Sequence, residues 1–374
     1  SGGVIGGTLP GLPAVLTGRT AKTGWGVTSA YVDDQDVYIE RLNPENANEY
    51  QTRTGFKSFE TQSSIIQIKD ADPLTLTIQK TDNGPVLPGE HYALGTITPP
   101  GHVTSLAWTA LEPADTSFTA AFDLMNAANV DEILEAGERF HAPAQNLMAV
   151  DLETIAFKTI GAMPRRNAQH QSQGRLPTPG WRRENQWNGT SPYAANPQFN
   201  DPQSGILGNT NNKTVHRPFP LHVSYEWGDT QRIQRWKTLM EGRPIHTRES
   251  FIEAQQDAVS VAARTLLPLI GADLWFTGNA APDGSPERLR QRALELLANW
   301  NGEMNEHLPE PLIYSAWIKA LQDRLIRDDL GPLAIEYTHV EPLFIERVFR
   351  DVEGASVWCD VVQSADIETC SEIS

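Results

Sequence analysis

The stretch Gly24-Trp25-Gly26-Val27-Thr28-Ser29-Ala30-Tyr31-Val32-Asp33-Asp34-Gln35-Asp36-Val37-Tyr38-Ile39-Glu40 sets the tightest limit on what this chain can fold into. It is β-branched and aromatic enough to form strand, yet Asp33, Asp34 and Asp36 fall within four residues. A buried strand does not tolerate that density of charge, because an unpaired carboxylate costs too much to remove from water. The carboxylates therefore lie in solvent at a turn, pair with cations, or ligate a hard metal ion. The residues alone leave these three open.

The surrounding pattern is that of a sheet. Val37-Tyr38-Ile39, Ser64-Ile65-Ile66-Gln67-Ile68, Leu74-Thr75-Leu76-Thr77-Ile78 and Val103-Thr104-Ser105-Leu106-Ala107-Trp108 read as strands, and Asp82-Asn83-Gly84-Pro85 as a turn between two of them. They predict an extensive, mostly antiparallel sheet. Gly2, Gly3, Gly6, Gly7, Gly11 and Gly18 punctuate short apolar runs and suit close backbone approach. A short capped helix is expected over Asn129–Gly137, and a hairpin from Leu147–Asp151 and Ile155–Lys158. From Gly161 to Pro202 the chain is rich in Pro, Gln, Asn, Arg and Trp and reads as a long ordered loop. Beyond residue 230 the period becomes helical. Ile233, Trp236, Leu239 and Met240 form one stripe, Thr247 or Ser250 caps a helix running to Leu267, and Pro286–Trp300 and Pro311–Ile326 follow.

Charge and motif content exclude several functions. The formal charge is −17, from 30 basic and 47 acidic side chains, so the basic stripe that phosphate contacts require is missing. Arg165-Arg166 and Arg182-Arg183 are only local pairs. No apolar run reaches the roughly 18 residues of a membrane span, and no basic-then-apolar leader opens the chain. Cys359 and Cys370 either bridge, in an oxidising compartment, or remain two buried thiols. His-Glu-x-x-His, Cys/His metal spacing and Gly-x-Ser-x-Gly do not occur, which removes support for a zinc hydrolase or an α/β-hydrolase. The stretch Pro202–Lys213 carries Asn209, Asn211 and Asn212, neutral amides that either make turns or stabilise a developing oxyanion.

An ordered set of motifs resembles the penicillin amidase family of N-terminal-nucleophile hydrolases. The set is Gly-Gly-Thr-Leu-Pro-Gly-Leu-Pro, Trp25-Gly26-Val-Thr-Ser29, Asp33-Asp-Gln-Asp36-Val-Tyr-Ile-Glu40, Asn83-Gly-Pro-Val86, Pro143-Ala-Gln-Asn146 and Gly205-Ile-Leu-Gly-Asn-Thr-Asn-Asn212. It runs from about Gly2 to Arg232, and more diffusely beyond. The resemblance implies an α+β protein, the α/β/β/α sandwich of that class, incomplete here, with a helical lobe. It implies a mainly β core with a long Pro- and Asn-rich loop over residues 1–229 and a mainly helical region over 230–374, forming one interdependent unit.

By the same resemblance the activity is that of an acylase, releasing the acyl group of a penicillin, an acyl-homoserine lactone or a related small N-acyl substrate. The family's nucleophile is an N-terminal Ser whose own α-amine acts as base. Ser29 matches the residue whose backbone N–H enters the oxyanion hole, Asn211 the side chain that completes it, and Arg232 the Arg that orients the site. Asp33, Gln35 and Asp36 match a structural Ca²⁺ site, Gln35 through its carbonyl oxygen, which ties this strand to the Pro-rich loop; near Leu221 and His222 the family has a further acidic ligand that is absent here. Thr17 matches an acyl-pocket position that is often aromatic in penicillin acylases.

The resemblance also implies an autoproteolysed precursor that supplies a separate α-chain, and a periplasmic or secreted location. Ser1 is followed by Gly-Gly where the family has Asn-x-Trp, so it reads as an internal position and the nucleophile as lying outside this chain, which alone is then inactive. A non-catalytic calcium-binding relative, acting as a binding or structural module, is the competing expectation.

Overall fold

The computed structural model describes residues 3–271, 278–360 and 369–370, which divide into two compact units, Ser1–Gly228 and Asp229–Ser374.

The first unit is built on two sheets. Its strands are β1 (Ile5–Gly7), β2 (Thr17–Arg19), β3 (Gly24–Ser29), β4 (Gln35–Asn43), β5 (Asn46–Thr52), β6 (Gly55–Ser58), β7 (Glu60–Ile66), β8 (Leu74–Thr81), β9 (Gly84–Leu87) and β10 (His102–Trp108). Helices α1 (Ser117–Asn126) and α2 (Val130–Glu138) follow, then β11 (Gln145–Val150), β12 (Ile155–Ile160), β13 (Thr178–Pro179) and β14 (Gln198–Asn200). One sheet has the order β1-β2-β3-β11-β12-β14 and is antiparallel throughout. The other runs β6-β5-β4-β10-β9-β8-β7, with β13 added to β4 in parallel.

The helices form where the sequence allows an apolar face to be capped. Asn129 accepts the N–H of Glu132 at 2.9 Å at the start of α2. Its buried face, Val130, Ile133, Leu134 and Ala136, packs with Trp25, Leu147, Ala149, Ala156 and Ile160 from β3, β11 and β12. That cluster seats α2 on one face of the first sheet. The opposite face of the same strands is left for polar side chains, since successive residues of a strand point to opposite sides. Gly6 pairs with Gly18 across β1 and β2, and a Cβ at Gly6 would fall 2.1 Å from the Thr17 carbonyl oxygen, so here the early glycines serve strand approach.

The second unit is helical: α3 (Thr230–Glu241), α4 (Arg248–Gln256), α5 (Val261–Ile270), α6 (Pro286–Asn299), α7 (Glu310–Leu330) and α8 (Pro342–Phe349). Its core joins Leu266 and Ile270, Leu297, the Tyr314-Ile318-Leu321-Leu325 stripe of α7, Ile345 and Val348. Cys359 is bridged to Cys370 with their Cα atoms 4.9 Å apart, which resolves the two open readings of these cysteines.

The single helix expected from Thr247 or Ser250 to Leu267 is two helices. Thr247 does cap α4, in a reciprocal capping box with Ser250, but the backbone turns extended at Asp257 and Ser260 caps α5 afresh. Asp257 is drawn out of helical geometry by its partners. Arg235 of α3 grips both of its carboxylate oxygens, Nε at 2.8 Å from Oδ1 and Nη2 on Oδ2, and the Val259 N–H reaches Oδ1 at 3.2 Å.

The hydrogen bonds from Arg235 hold the Asp257 carboxyl below the usual carboxylate range. A depressed folded-state value means the contribution is complete above the unfolded value of a carboxyl and is lost as pH falls through the lower folded one. Asp257→Asn is expected to lower stability by about 1 kcal/mol near neutrality and to flatten the acid limb of the denaturation profile. Urea melts of both proteins from neutral to acid pH check this; parallel acid limbs would contradict it.

Candidate active site

β3 places the first two residues of the site. Trp25 and Val27 turn into the core against α2, so Gly26 and Thr28 face the other way. The register then sets Asn146 of β11 opposite Thr28 on one side and opposite Thr159 of β12 on the other. Asn146 is only 1% exposed, and a buried amide needs partners. Its Nδ2 donates to Asn209 Oδ1 at 3.1 Å and, more weakly, to Thr28 Oγ1 and the Ser29 carbonyl, both at 3.4 Å. Its Oδ1 accepts Thr159 Oγ1 at 3.2 Å.

Asn209 Oδ1 is the hub of this network. It also accepts Thr28 Oγ1 at 3.1 Å and the backbone N–H of Asn211 at 2.7 Å. The Asx turn so formed holds Asn211 at φ 66°, a left-handed conformation that Asn tolerates better than most residues. From there Asn211 Nδ2 donates to the Ser29 carbonyl at 2.9 Å. Two expected site residues, 182 positions apart in sequence, are thus joined by a direct bond. This bond is held by Asn209, one of the amides open to a turn or an oxyanion role, and by Asn146, to which the Pro143-Ala-Gln-Asn146 motif had attached no role of its own. The available signal for Asn146 was strand alternation, which puts it on the face opposite the apolar Leu147.

Thr17 lies on β2, exposed, with Oγ1 donating to the Trp25 carbonyl at 3.3 Å and 3.4 Å from where a Gly26 Cβ would sit. It therefore shares the polar face of the sheet with Gly26 and Thr28. Arg232 belongs to the second unit, on the first turn of α3, where it lines a cavity of about 310 Å³ with Asp229, Arg235, Trp236 and Asp257. Ser1 lies outside the described residues.

The carboxylates around the start of β4 are not in solvent. Arg166, from the Pro-rich loop, is inserted among them with its side chain 1% exposed. Nε donates to Asp36 Oδ2 at 2.9 Å and Nη2 to Asp36 Oδ1 at 3.2 Å, a two-pronged contact. Nη1 and Nη2 both reach the Asp33 carbonyl at 3.1 Å, and Nη2 reaches the Gln35 carbonyl at 3.3 Å and Asp33 Oδ1 at 3.2 Å. Trp187 Nε1 donates to Asp36 Oδ2. His222 Nε2 lies 2.8 Å from Asp33 Oδ2 and, facing a carboxylate that only accepts, is the donor.

Burial works against charge on Arg166, but Asp36 and Asp33 outweigh it and push its pKa further up. The Arg165-Arg166 pair thus separates in role, Arg165 reaching the Asn188 carbonyl at the surface while Arg166 is interior. Asp34 points elsewhere, accepting Thr109 Oγ1 at 3.4 Å, and burial pushes its carboxyl up. Among the described residues no three His, Cys, Asp or Glu side chains are grouped to hold a metal ion.

A concavity of about 490 Å³ in the first unit is lined by Tyr38, Tyr50, Thr81, Asn83, Trp108 and Trp187, among others, and its lining includes neither Ser29 nor Asn211. Its volume marks it as roomy, while the donor geometry expected for chemistry lies on the other sheet.

The family model for penicillin amidase matches residues 2–374. An acyl-homoserine lactone acylase, QuiP, of Pseudomonas syringae pv. syringae (strain B728a) is 27% identical over 336 residues, 88% of this chain and 39% of that protein. Penicillin G acylase of Escherichia coli is 25% identical over 335 residues, 86% of this chain and 37% of that protein. The chain thus spans about two fifths of the length of the curated relatives it matches. Among solved structures, the thermostable penicillin G acylase from Alcaligenes faecalis superposes with a TM-score of 0.70 at 20% identity, over 90% of this chain and 59% of that one. The fold is therefore that of the N-terminal-nucleophile hydrolases, mixed helix and antiparallel sheet, and the chain belongs to the penicillin amidase family.

Proposed function

We propose that this chain carries the oxyanion-hole side of an acylase that hydrolyses the amide bond of a small N-acyl compound. The observation that supports it most is the Asn211–Ser29 bond, held by the Asn146–Asn209 network. Neutral donors fixed in advance at a peptide unit can meet the charge that develops on a carbonyl oxygen without reorganising.

The nucleophile is the N-terminal Ser hydroxyl of the processed catalytic chain, supplied by residues other than Ser1, with its α-amine as base. Attack on the acyl carbonyl forms a tetrahedral oxyanion facing the Ser29 N–H and the Asn211 amide. Collapse expels the amine, protonated by the α-ammonium that had taken the serine proton, and leaves the acyl group as an ester on the serine; water, deprotonated by the same α-amine, then hydrolyses that ester to the free acid and the serine hydroxyl. An α-chain of the same precursor completes the site. A periplasmic or secreted location agrees with the Cys359–Cys370 bridge, since such bonds persist in oxidising compartments. Among the described residues no helix is long and apolar enough to cross a membrane.

The test is turnover by the complete protein of acyl-homoserine lactones, penicillin G and chromogenic N-acyl anilides. Amide cleavage with stoichiometric release of acid and amine is expected; no cleavage of any of the three would refute the reading and favour a binding module. Acyl selectivity supplies a second measurement. Thr17 presents a small side chain beside Gly26, so Thr17→Phe is expected to lower kcat/KM for a long acyl chain relative to phenylacetyl by about tenfold or more, through lost pocket space. An unchanged ratio would remove Thr17 from the pocket.

A further inference from the structure

We propose that the guanidinium of Arg166 is the built-in replacement for the calcium ion that the family resemblance assigns to Asp33, Gln35 and Asp36, and that this chain ties β4 to its Pro-rich loop without a metal. The residues present do not fit the ion. Calcium takes six to eight oxygen ligands at about 2.3–2.6 Å. Here the Asp33 carbonyl and Oδ1, the Gln35 carbonyl and both Asp36 oxygens all face Arg166 nitrogens at 2.9–3.3 Å. The centre that a cation would need is filled by a cation already.

Three further features are shaped to the guanidinium. Gly174, at φ +82°, lies so close that a Cβ there would stand 2.6 Å from Arg166 Nε, so the loop closes over the planar group only through glycine. Trp187 donates to Asp36 Oδ2, and its ring centroid is 5.9 Å from Arg166 Cζ. At the position where the family has a further acidic ligand, His222 donates from Nε2 to Asp33 Oδ2 and stacks on Tyr225 at 4.5 Å, taking up another carboxylate lone pair. A dication entering this group would meet a buried positive charge at contact distance, in surroundings that screen it poorly. Evicting Arg166 would strip an always-charged side chain of its partners. The tie between strand and loop is the same, while the cation is covalently part of the chain.

The experiment is thermal denaturation of the protein in excess EDTA and in millimolar CaCl₂, read by circular dichroism and paired with isothermal titration of CaCl₂. The native protein is expected to melt at the same temperature in both. Any calcium effect arising elsewhere is expected to persist unchanged in Asp36→Asn. A melting temperature that falls in EDTA, recovers with calcium and loses that response in Asp36→Asn would overturn the proposal. Arg166→Gln provides the second arm should Asp36→Asn fail to fold. It is expected to melt well below the native protein in EDTA, with Arg166→Lys recovering only part of the loss because an ammonium cannot make the two-pronged contact. Native melting behaviour of Arg166→Gln in EDTA would equally overturn it.

Discussion

Asn211→Ala is expected to lower kcat of the complete protein for the proposed amide cleavage by about 10²- to 10³-fold, a loss of about 2.7–4 kcal/mol of transition-state stabilisation. The substitution removes the carboxamide that reaches the Ser29 peptide unit at 2.9 Å. The backbone N–H of residue 211 survives, so its bond to Asn209 Oδ1 and the Asn146 network persist. KM is expected to change much less than kcat, because the lost donor acts on charge that exists only after attack. Alanine at φ 66° carries a strain that asparagine bears more easily, so Asn211→Gly separates backbone from amide. If Asn211→Gly retained native kcat while Asn211→Ala did not, the effect would be conformational and the oxyanion assignment would fail.

Glu40→Ala is expected to destabilise the first unit by about 3 kcal/mol or more, with no effect on the chemistry of the site. Glu40 lies on β4 with 0% exposure. Its Oε1 accepts three donors, Thr81 Oγ1 at 3.0 Å from β8, Asn83 Nδ2 at 2.8 Å and Ser105 Oγ at 2.8 Å from β10. Asn83 in turn donates to the Gly180 carbonyl at 3.2 Å, so the carboxylate ties the second sheet to the Pro-rich loop. Alanine would leave the buried Ser105 hydroxyl and the half-buried Thr81 and Asn83 donors without their acceptor, at about 1–3 kcal/mol for each that water does not relieve. Glu40→Gln keeps an acceptor oxygen at the hub and is expected to cost clearly less. Denaturant midpoints rank the three proteins, and equal midpoints for Glu40→Ala and native would show that the hub contributes nothing.

The two networks explain why the Gly24–Glu40 stretch can hold so much charge. Asp33 and Asp36 are answered by Arg166 and His222, Asp34 by Thr109, and Glu40 by Thr81, Asn83 and Ser105. Of the three readings open to those carboxylates in the sequence, pairing with a cation is what the Asp33–Asp36 cluster does. Its partner comes from residue 166, in a segment whose Pro, Gln and Asn content says only that it is ordered loop.

Local pattern carried much of the architecture. Alternating β-branched runs marked β4, β8 and β10, and the Asn129 cap and its apolar spacing marked α2, because strand and helix periods are written in near neighbours. The break between α4 and α5 was not legible, since Asp257 leaves helical geometry for Arg235, a residue 22 positions away. Helix α1 also went unread, its Ser117–Asn126 stretch offering no side-chain cap bond and only a modest apolar face.

Motifs in a fixed order carry the family, and with it the matches of Ser29 and Asn211 to an oxyanion hole. That these two touch, that Asn146 and Asn209 hold them, and that Arg166 pairs with Asp33 and Asp36 emerged only from the folded chain. The reason is one of range. Hydrogen-bond partners 63, 130 and 182 residues apart are selected by strand register and loop closure, which no local pattern of side chains encodes.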